Sequence, residues 1–285
     1  MSREVARAVA SHRQHQQEQE HVTGIRVSIV DVRIDARSAG HVAYVTVNNV
    51  EHRNRLDKSG KQDLIDAFCK LALDEELRVA VLSGAGEKSF IAGSDLTEMK
   101  DLDGKGQEEV STKTHLACDA IRRLPVPVIA RINGYCLGSG MELAAACDMR
   151  AGADHARFGM PEVKFGIPSG MEACLLPTLM GWGKARELVY TGEMIDAQEA
   201  YRTGFLGRLV PAAQLDEVVE QWVAAICAAG PRAVRIQKAL VRDWERMSIK
   251  EAVQRGIRAM VESRETDEPK RLMQAFIDQR KAGRT

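Results

Sequence analysis

The segments Asn133-Gly-Tyr-Cys-Leu-Gly-Ser-Gly-Met-Glu142 and Phe158-Gly-Met-Pro-Glu162 decide the reading of this chain. In the first, Gly138 and Gly140 let the backbone turn tightly into the apolar run Leu143-Ala-Ala-Ala-Cys147, which predicts a helix. The first N–H groups of such a helix have no partner inside it, and the helix dipole adds partial positive charge there, so the turn favours a developing oxyanion. Upstream, Phe90-Ile-Ala-Gly-Ser-Asp95-Leu ends an apolar run at a glycine and starts a predicted helix at Asp95, with Glu98 three residues on. Two such turns, together with the carboxylates Glu142 and Glu162, are the parts from which acid/base chemistry can be built.

Upstream of these turns, strand-like runs occupy Ile25 to Ile34, His41 to Val47 and Arg78 to Leu82, with turn residues at Ser38-Ala-Gly40. Another, Val126 to Ile132, leads into the glutamate turn, and Pro127 is tolerated at its beginning. A helical pattern spans Lys58 to Leu73, where Leu64, Ile65, Phe68, Leu71 and Ala72 share a face. Beyond Pro168, helical segments are expected at Glu172 to Met180, Lys184 to Thr191, Ala197 to Thr203, Leu215 to Ala229, Ala233 to Trp244 and Ile249 to Glu265. Strands that repeatedly feed helices, with no sequence repeat, indicate an α/β layered domain. The expected organisation is a flexible polar extension over 1–24, an α/β core over 25–210 and a helical region over 211–285.

Forty basic and forty acidic residues cancel, which gives no electrostatic case for nucleic acid or an anionic membrane as partner. At 285 residues and 45% hydrophobic content the chain can bury a substantial core. No apolar stretch reaches the roughly 18 residues of a membrane span, and the N-terminus lacks the apolar segment of a signal peptide. The six cysteines include no C-x-x-C pair and read as reduced core residues, so a cytoplasmic location is expected. His12, His15 and His21 fall in the polar extension and read as solvated rather than as metal ligands, and no metal site is expected elsewhere.

Two apparent nucleotide motifs fail. Gly84-Ala-Gly86-Glu87-Lys88-Ser89 has Glu87 where a phosphate loop needs glycine and runs into a strand end, and Gly134 to Gly140 lacks dinucleotide-binding spacing. The favoured acids also have plainer readings. A first-turn glutamate such as Glu142 is stabilised by about 0.3–1 kcal/mol through the dipole alone. Asp95 fits an N-cap, and Glu162 a solvated loop carboxylate.

Taken jointly, Ala92-Gly-Ser-Asp-Leu96, Ile132-Asn-Gly-Tyr135 through Gly140-Met-Glu142 and Pro161-Glu162 resemble the enoyl-CoA hydratase/isomerase (crotonase) family. The resemblance runs from about Val42 to Arg280 and includes Asn48 to Asn54, with Val50 where the family carries proline. It implies a spiral of ββα units followed by a helical C-terminal region. It also implies 2-enoyl-CoA hydration, with the backbone amides of Ser94 and Ser139 stabilising a thioester enolate, Glu142 activating water and Glu162 transferring the α-proton. His52, Arg53, Ser94, Asp95, Leu96, Thr97, Ser139, Gly170 and Lys238 are implied to contact the acyl-CoA. Coenzyme A enters as part of the substrate, no further cofactor is implied, and the assembly that the resemblance implies is a trimer or dimer of trimers.

One segment departs from the family: Ile167-Pro-Ser-Gly-Met171-Glu172-Ala-Cys is one residue short of the usual loop and places bulky Met171 and Glu172 where small residues are expected. Glu172 is thereby either a third acid near the site or a first-turn helix acid. Retention of both glutamates favours hydration; the alternatives are a double-bond isomerase, another acyl-CoA lyase of the same fold, or a non-catalytic acyl-CoA binder.

Overall fold

The computed structural model describes residues 28–282, so the N-terminal extension and its three histidines lie outside the described residues. Strands β1 (Val30–Arg37) and β2 (Gly40–Val47) form the hairpin expected around Ser38 to Gly40, in register from Val30↔Val47 to Arg37↔Gly40. Next come α1 (Lys58–Leu71), β3 (Leu77–Gly84), β4 (Ser89–Ile91), the single turn α2 (Leu96–Met99) and α3 (Gly104–Arg123). Then β5 (Val128–Ile132), β6 (Tyr135–Leu137), α4 (Ser139–Ala146), β7 (Met149–Ala153) and β8 (Arg157–Gly159) carry the chain to a 3-10 helix at Pro161–Phe165. A second 3-10 helix, Met171–Leu175, opens into α5 (Leu176–Thr191), followed by β9 (Met194–Asp196), α6 (Ala197–Arg202) and β10 (Arg208–Val210). Four helices complete the described chain: α7 (Leu215–Ala228), α8 (Pro231–Trp244), α9 (Ile249–Glu262) and α10 (Glu268–Ala282).

Two sheets are interleaved. The larger has the order β1-β2-β3-β5-β7-β10, parallel after the first hairpin, and the smaller has the order β4-β6-β8-β9. Each pass of the chain (β3 then β4, β5 then β6, β7 then β8) adds one strand to each sheet before a helical segment, which is the ββα spiral. Every residue of β3 is buried, as expected of a parallel strand covered on both faces. Alternate residues divide between two cores: Ala43, Val45, Ala80, Leu82 and Ala130 face Leu64, Phe68 and Ile121 of α1 and α3. Val42, Val79, Val81 and Ile129 face Leu215, Val219 and Val223 of α7. The first helix of the C-terminal region thus packs as the outer layer of the large sheet.

The sequence reading placed most helices within a few residues. The segment expected at Glu172 to Met180 begins in the 3-10 helix Met171–Leu175 and continues into α5, where it is joined to the one expected at Lys184 to Thr191 across a break at Gly181 (φ 80°, ψ 152°). Helix α3 went unrecognised because its buried stripe carries Lys113, Thr114 and Cys118 among the apolar positions. All six cysteines are free, but Cys69 and Cys174 are exposed rather than part of the core.

The candidate active site

Three consecutive parallel strands of the small sheet, β4, β6 and β8, end side by side, and each delivers one piece of the site. Strand β4 leads into Ala92 to Asp95, β6 into Gly138 and the start of α4, and β8 into Pro161 and Glu162. Gly138 adopts φ 52° and ψ −125°, and a Cβ there would stand 2.6 Å from Glu162 Oε1. A Cβ on Gly140 would stand 2.0 Å from the Ile91 carbonyl oxygen, so the close seating of α4 on the end of β4 needs glycine. The hydroxyl of Ser94 donates to Ser139 Oγ at 3.1 Å, joining the two turns directly. Around Ser94 the backbone bonds run from Leu56 N–H to Gly93 C=O and from Asp95 N–H to Leu56 C=O, leaving the Ser94 amide between them. Around Ser139 they run from Gly138 N–H to Gly159 C=O and from Met141 and Glu142 N–H to Gly138 C=O.

Glu142, in the first turn of α4, is 1% exposed. Burial pushes its carboxyl up to about 8, and the charges of Glu162 and Glu172 add to the rise while the Ala173 N–H and Lys61 oppose it. The Ala173 N–H donates to Glu142 Oε1 at 3.0 Å. Glu162 follows Pro161 at the start of a 3-10 helix and is half-buried, not a solvated loop carboxylate. Burial raises its carboxyl too, against the pull of backbone hydrogen bonding and of the Ser169 hydroxyl, which donates to Glu162 Oε2 at 2.8 Å. Both fixing donors come from 167–174, the segment that departs from the family pattern. In that segment Met171 holds φ 41°, a left-handed conformation unusual for a long side chain. Glu172 is both things the sequence allowed: a first-turn acid of Met171–Leu175 and a buried carboxylate bonded to His115 Nδ1 at 2.7 Å, close enough to act on Glu142.

A cavity of about 510 Å³ joins these parts. Of the residues singled out in the sequence, His52, Arg53, Ser94, Leu96, Ser139, Glu142, Glu162 and Gly170 line it. Three do not. Asp95 caps α2, accepting from Thr97 N–H at 2.8 Å and Thr97 Oγ at 2.6 Å, which also occupies Thr97. Partial burial works against the Asp95 carboxylate, but the Thr97 bonds and the Arg55 charge outweigh it and hold the carboxyl below its usual value. Lys238 is engaged with Asp148 at 2.5 Å, its side chain largely buried, and does not reach the cavity within this chain.

The sequence reading missed Arg55, Gln107, Ser111 and Ser169. Arg55 adds a second guanidinium to that of Arg53, beside the His52 imidazole, and lies 3.1 Å from Asp95 Oδ2. Arg53 sits at φ 55° with its guanidinium 5.3 Å from the Tyr135 ring centroid. Buried Asn54 holds this loop by donating to the Ala85 and Ser89 carbonyls, both at 2.9 Å, and accepting from Asn49 N–H at 3.0 Å. Gln107 and Ser111, joined at 3.0 Å on α3, put polar groups into a wall that otherwise carries Leu96, Met99, Phe165 and Met171. Recognising α3 as a helix would have found them, since an i, i+4 pair shares a face. Among the described residues no group of three His, Cys, Asp or Glu side chains is placed to hold a metal ion, and no helix is long and apolar enough to cross a membrane.

Comparison with known proteins agrees with this architecture. The sequence profile of the enoyl-CoA hydratase/isomerase family matches residues 37–283. A short-chain-enoyl-CoA hydratase of Clostridium acetobutylicum is 33% identical over 243 residues, covering 85% of this chain and 93% of its own length. A crotonyl-CoA hydratase of Syntrophomonas wolfei is 34% identical over 242 residues, with coverage of 85% and 93%. The crystal structure of an enoyl-CoA hydratase from Bacillus anthracis superposes with a TM-score of 0.82 at 32% identity, over 87% of this chain and 96% of that one. The strand order, the paired turns and these matches make the chain a member of the enoyl-CoA hydratase/isomerase family.

Proposed function

We propose that this protein adds water to 2-enoyl-CoA thioesters, the reading carried by Glu142 and Glu162 facing one cavity beside the Ser94 and Ser139 turns. Adding hydroxide to the β-carbon drives negative charge onto the thioester oxygen as an enolate forms. The Ser94 and Ser139 amides are the donors for that oxygen, and losing one such donor typically lowers the rate about 10²–10³-fold. The guanidinium groups of Arg53 and Arg55, with the His52 imidazole beside them, suit the phosphates of coenzyme A, and the apolar wall suits the acyl group. The chemistry requires no cofactor beyond the coenzyme A that the substrate carries.

Two raised carboxyls in one cavity titrate as a pair, and the working state holds one proton between them. Hydration starts with the proton on Glu162: Glu142 takes a proton from the attacking water while Glu162 protonates the α-carbon. The step leaves the proton on Glu142, which is where burial favours it in the free protein. The resting arrangement is therefore the one that receives a 3-hydroxyacyl thioester and dehydrates it, as microscopic reversibility requires of the return step.

A cytoplasmic homotrimer or dimer of trimers goes with this reading. The self-association is supported by the exposed apolar surface of α8 to α10, including Trp244, Ile249, Val253, Met260 and Phe276, which a partner subunit would cover; sedimentation would give the mass. The function itself is tested by incubating crotonyl-CoA with the protein in water enriched in the heavy oxygen isotope. Mass spectrometry should find the label in 3-hydroxybutyryl-CoA; migration of the double bond in a longer 3-enoyl-CoA, without label, would replace hydration with isomerisation.

A further inference from the structure

Helix α1 carries a residue that the fold does not call for. Its buried stripe runs Lys61, Leu64, Phe68, Leu71, so a lysine occupies a position where the helical period puts an apolar side chain. Lys61 is 1% exposed, and its Nζ has no hydrogen-bond partner. Neighbouring lysines are handled differently: Lys58 reaches the surface and pairs with Glu109 at 2.7 Å, and Lys113 donates to Gln62 Oε1 at 2.7 Å. An unpaired ammonium in a core opposes folding, so its presence calls for a use.

The packing supplies one. Helix α1 packs on α3, α3 packs on α4, and α4 carries Glu142. The charges acting on Lys61 are Glu98, Glu142 and Asp57, with the Cys118 thiol beyond them. Glu98 already accepts from Lys58 N–H, and Asp57 from Gly60 N–H and Ser59 Oγ. Around Glu142 stand Glu162, Glu172 with its partner His115, Cys118, and Lys61; Lys61 is the cation that offsets the two neighbouring carboxylates. We propose that Lys61 is a positioning residue for the glutamate pair: its buried ammonium keeps the carboxylate form of Glu142 within reach, and with it the one-proton arrangement from which water is added. The ammonium is itself lowered to about 8 by burial, against the pull of these carboxylates.

This rests on the hydratase reading of the site, and the test separates the two. The test uses full-length protein, with Lys61→Met filling the apolar stripe at similar volume. Crotonyl-CoA hydration is followed across pH. Without Lys61 the proton is held more firmly on Glu142, so the plateau of kcat/KM should fall about threefold or more and the alkaline limb should rise by about half a pH unit or more. The acid limb should stay in place, and the two profiles should meet at high pH. An unchanged profile, or the same loss at every pH, would overturn the proposal.

A second readout needs no turnover. The infrared band of protonated Glu142, isolated by subtracting the Glu142→Gln spectrum in each background, should persist to higher pH in Lys61→Met; a band that titrates as in the unsubstituted protein overturns the proposal. If the unsubstituted protein hydrates nothing, the hydratase reading fails while the band still decides the role of Lys61. Removing a lone buried charge should leave the unfolding midpoint equal or higher, and failure of both Lys61→Met and Lys61→Gln to fold would make Lys61 structural and overturn the assignment.

Discussion

Glu142 rises from the first turn of a fully buried helix, whereas Glu162 stands on a half-exposed 3-10 helix behind a proline. Each accepts one hydrogen bond from the same loop, but the Glu142 donor is a backbone N–H and the Glu162 donor a serine hydroxyl. Burial, with the neighbouring Glu162 and Glu172 charges adding to it, drives the deeper carboxyl up to about 8, while burial alone raises the shallower one against its hydrogen bonds. Two identical functional groups thus acquire different proton affinities from burial and neighbours alone, and that difference decides which of them holds the shared proton: Glu142 in the free protein, the arrangement from which dehydration starts.

Neutralising either acid should have the largest effect. Glu142→Gln and Glu162→Gln should each lower kcat/KM for crotonyl-CoA by about 10²–10⁴-fold. The residual rates should differ in shape: removing Glu142 abolishes its titration, and removing Glu162 keeps that titration but moves it down from about 8, because the Glu162 charge that adds to the rise is gone. Gly138→Ala attacks the spacing between the two supports, because its Cβ would press on Glu162 Oε1 in a conformation few non-glycine residues adopt. A fall of about 100-fold in kcat is expected from that displacement, with about 1–3 kcal/mol lost in denaturant unfolding.

Stability against pH sharpens the contrast without substrate. The folded Glu142 carboxyl lies at about 8, above its ordinary value of 4.5, so the native state binds this proton more tightly than the unfolded chain. Its favourable contribution is complete below about pH 4.5 and is lost as pH rises through about 8. Glu142→Gln should therefore be more stable than the unsubstituted protein by about 2–4 kcal/mol near pH 8, with the gap closing toward pH 4.5. Glu162→Gln, measured by the same urea titrations, should show a smaller gap of the same sign.

Ser169→Ala removes the hydroxyl that steadies Glu162 and should lower kcat about tenfold, with the acid limb moving up because that hydroxyl pulls the Glu162 carboxyl down. Ser94→Ala should have the smallest effect, within about fivefold, since it loses the bond to Ser139 but keeps the amide. A loss in Ser94→Ala as large as that in either glutamate variant would make the hydroxyl, not the amide, the working group.

The paired turns were legible because glycine and helix-start chemistry are local: Gly138, Gly140 and Asp95 announce themselves within a few residues. The convergence of those turns was not, since β4, β6 and β8 are three residues long and show no period; their side-by-side endings came from the family resemblance. The donors to the glutamates were hidden for another reason. The Ala173 N–H is the same in every sequence, and Ser169 is one hydroxyl in a loop whose path only the packing against α4 defines. Lys238 was expected at coenzyme A; in the structure its ammonium is paired with Asp148, a partner that nothing local in the sequence announces. Lys61 was visible as a lysine on the apolar face of a predicted helix, a conflict between residue type and period that marks a position for scrutiny.

The most direct measurement is the loss of the conjugated enoyl-thioester absorbance of crotonyl-CoA, followed across pH for the unsubstituted protein, Glu142→Gln and Glu162→Gln side by side. Turnover is expected that either substitution nearly abolishes, with the Glu142 titration present, somewhat below about 8, in Glu162→Gln and absent from Glu142→Gln. Full turnover in either variant, or the same pH profile in both, would contradict a division of labour between two differently buried glutamates.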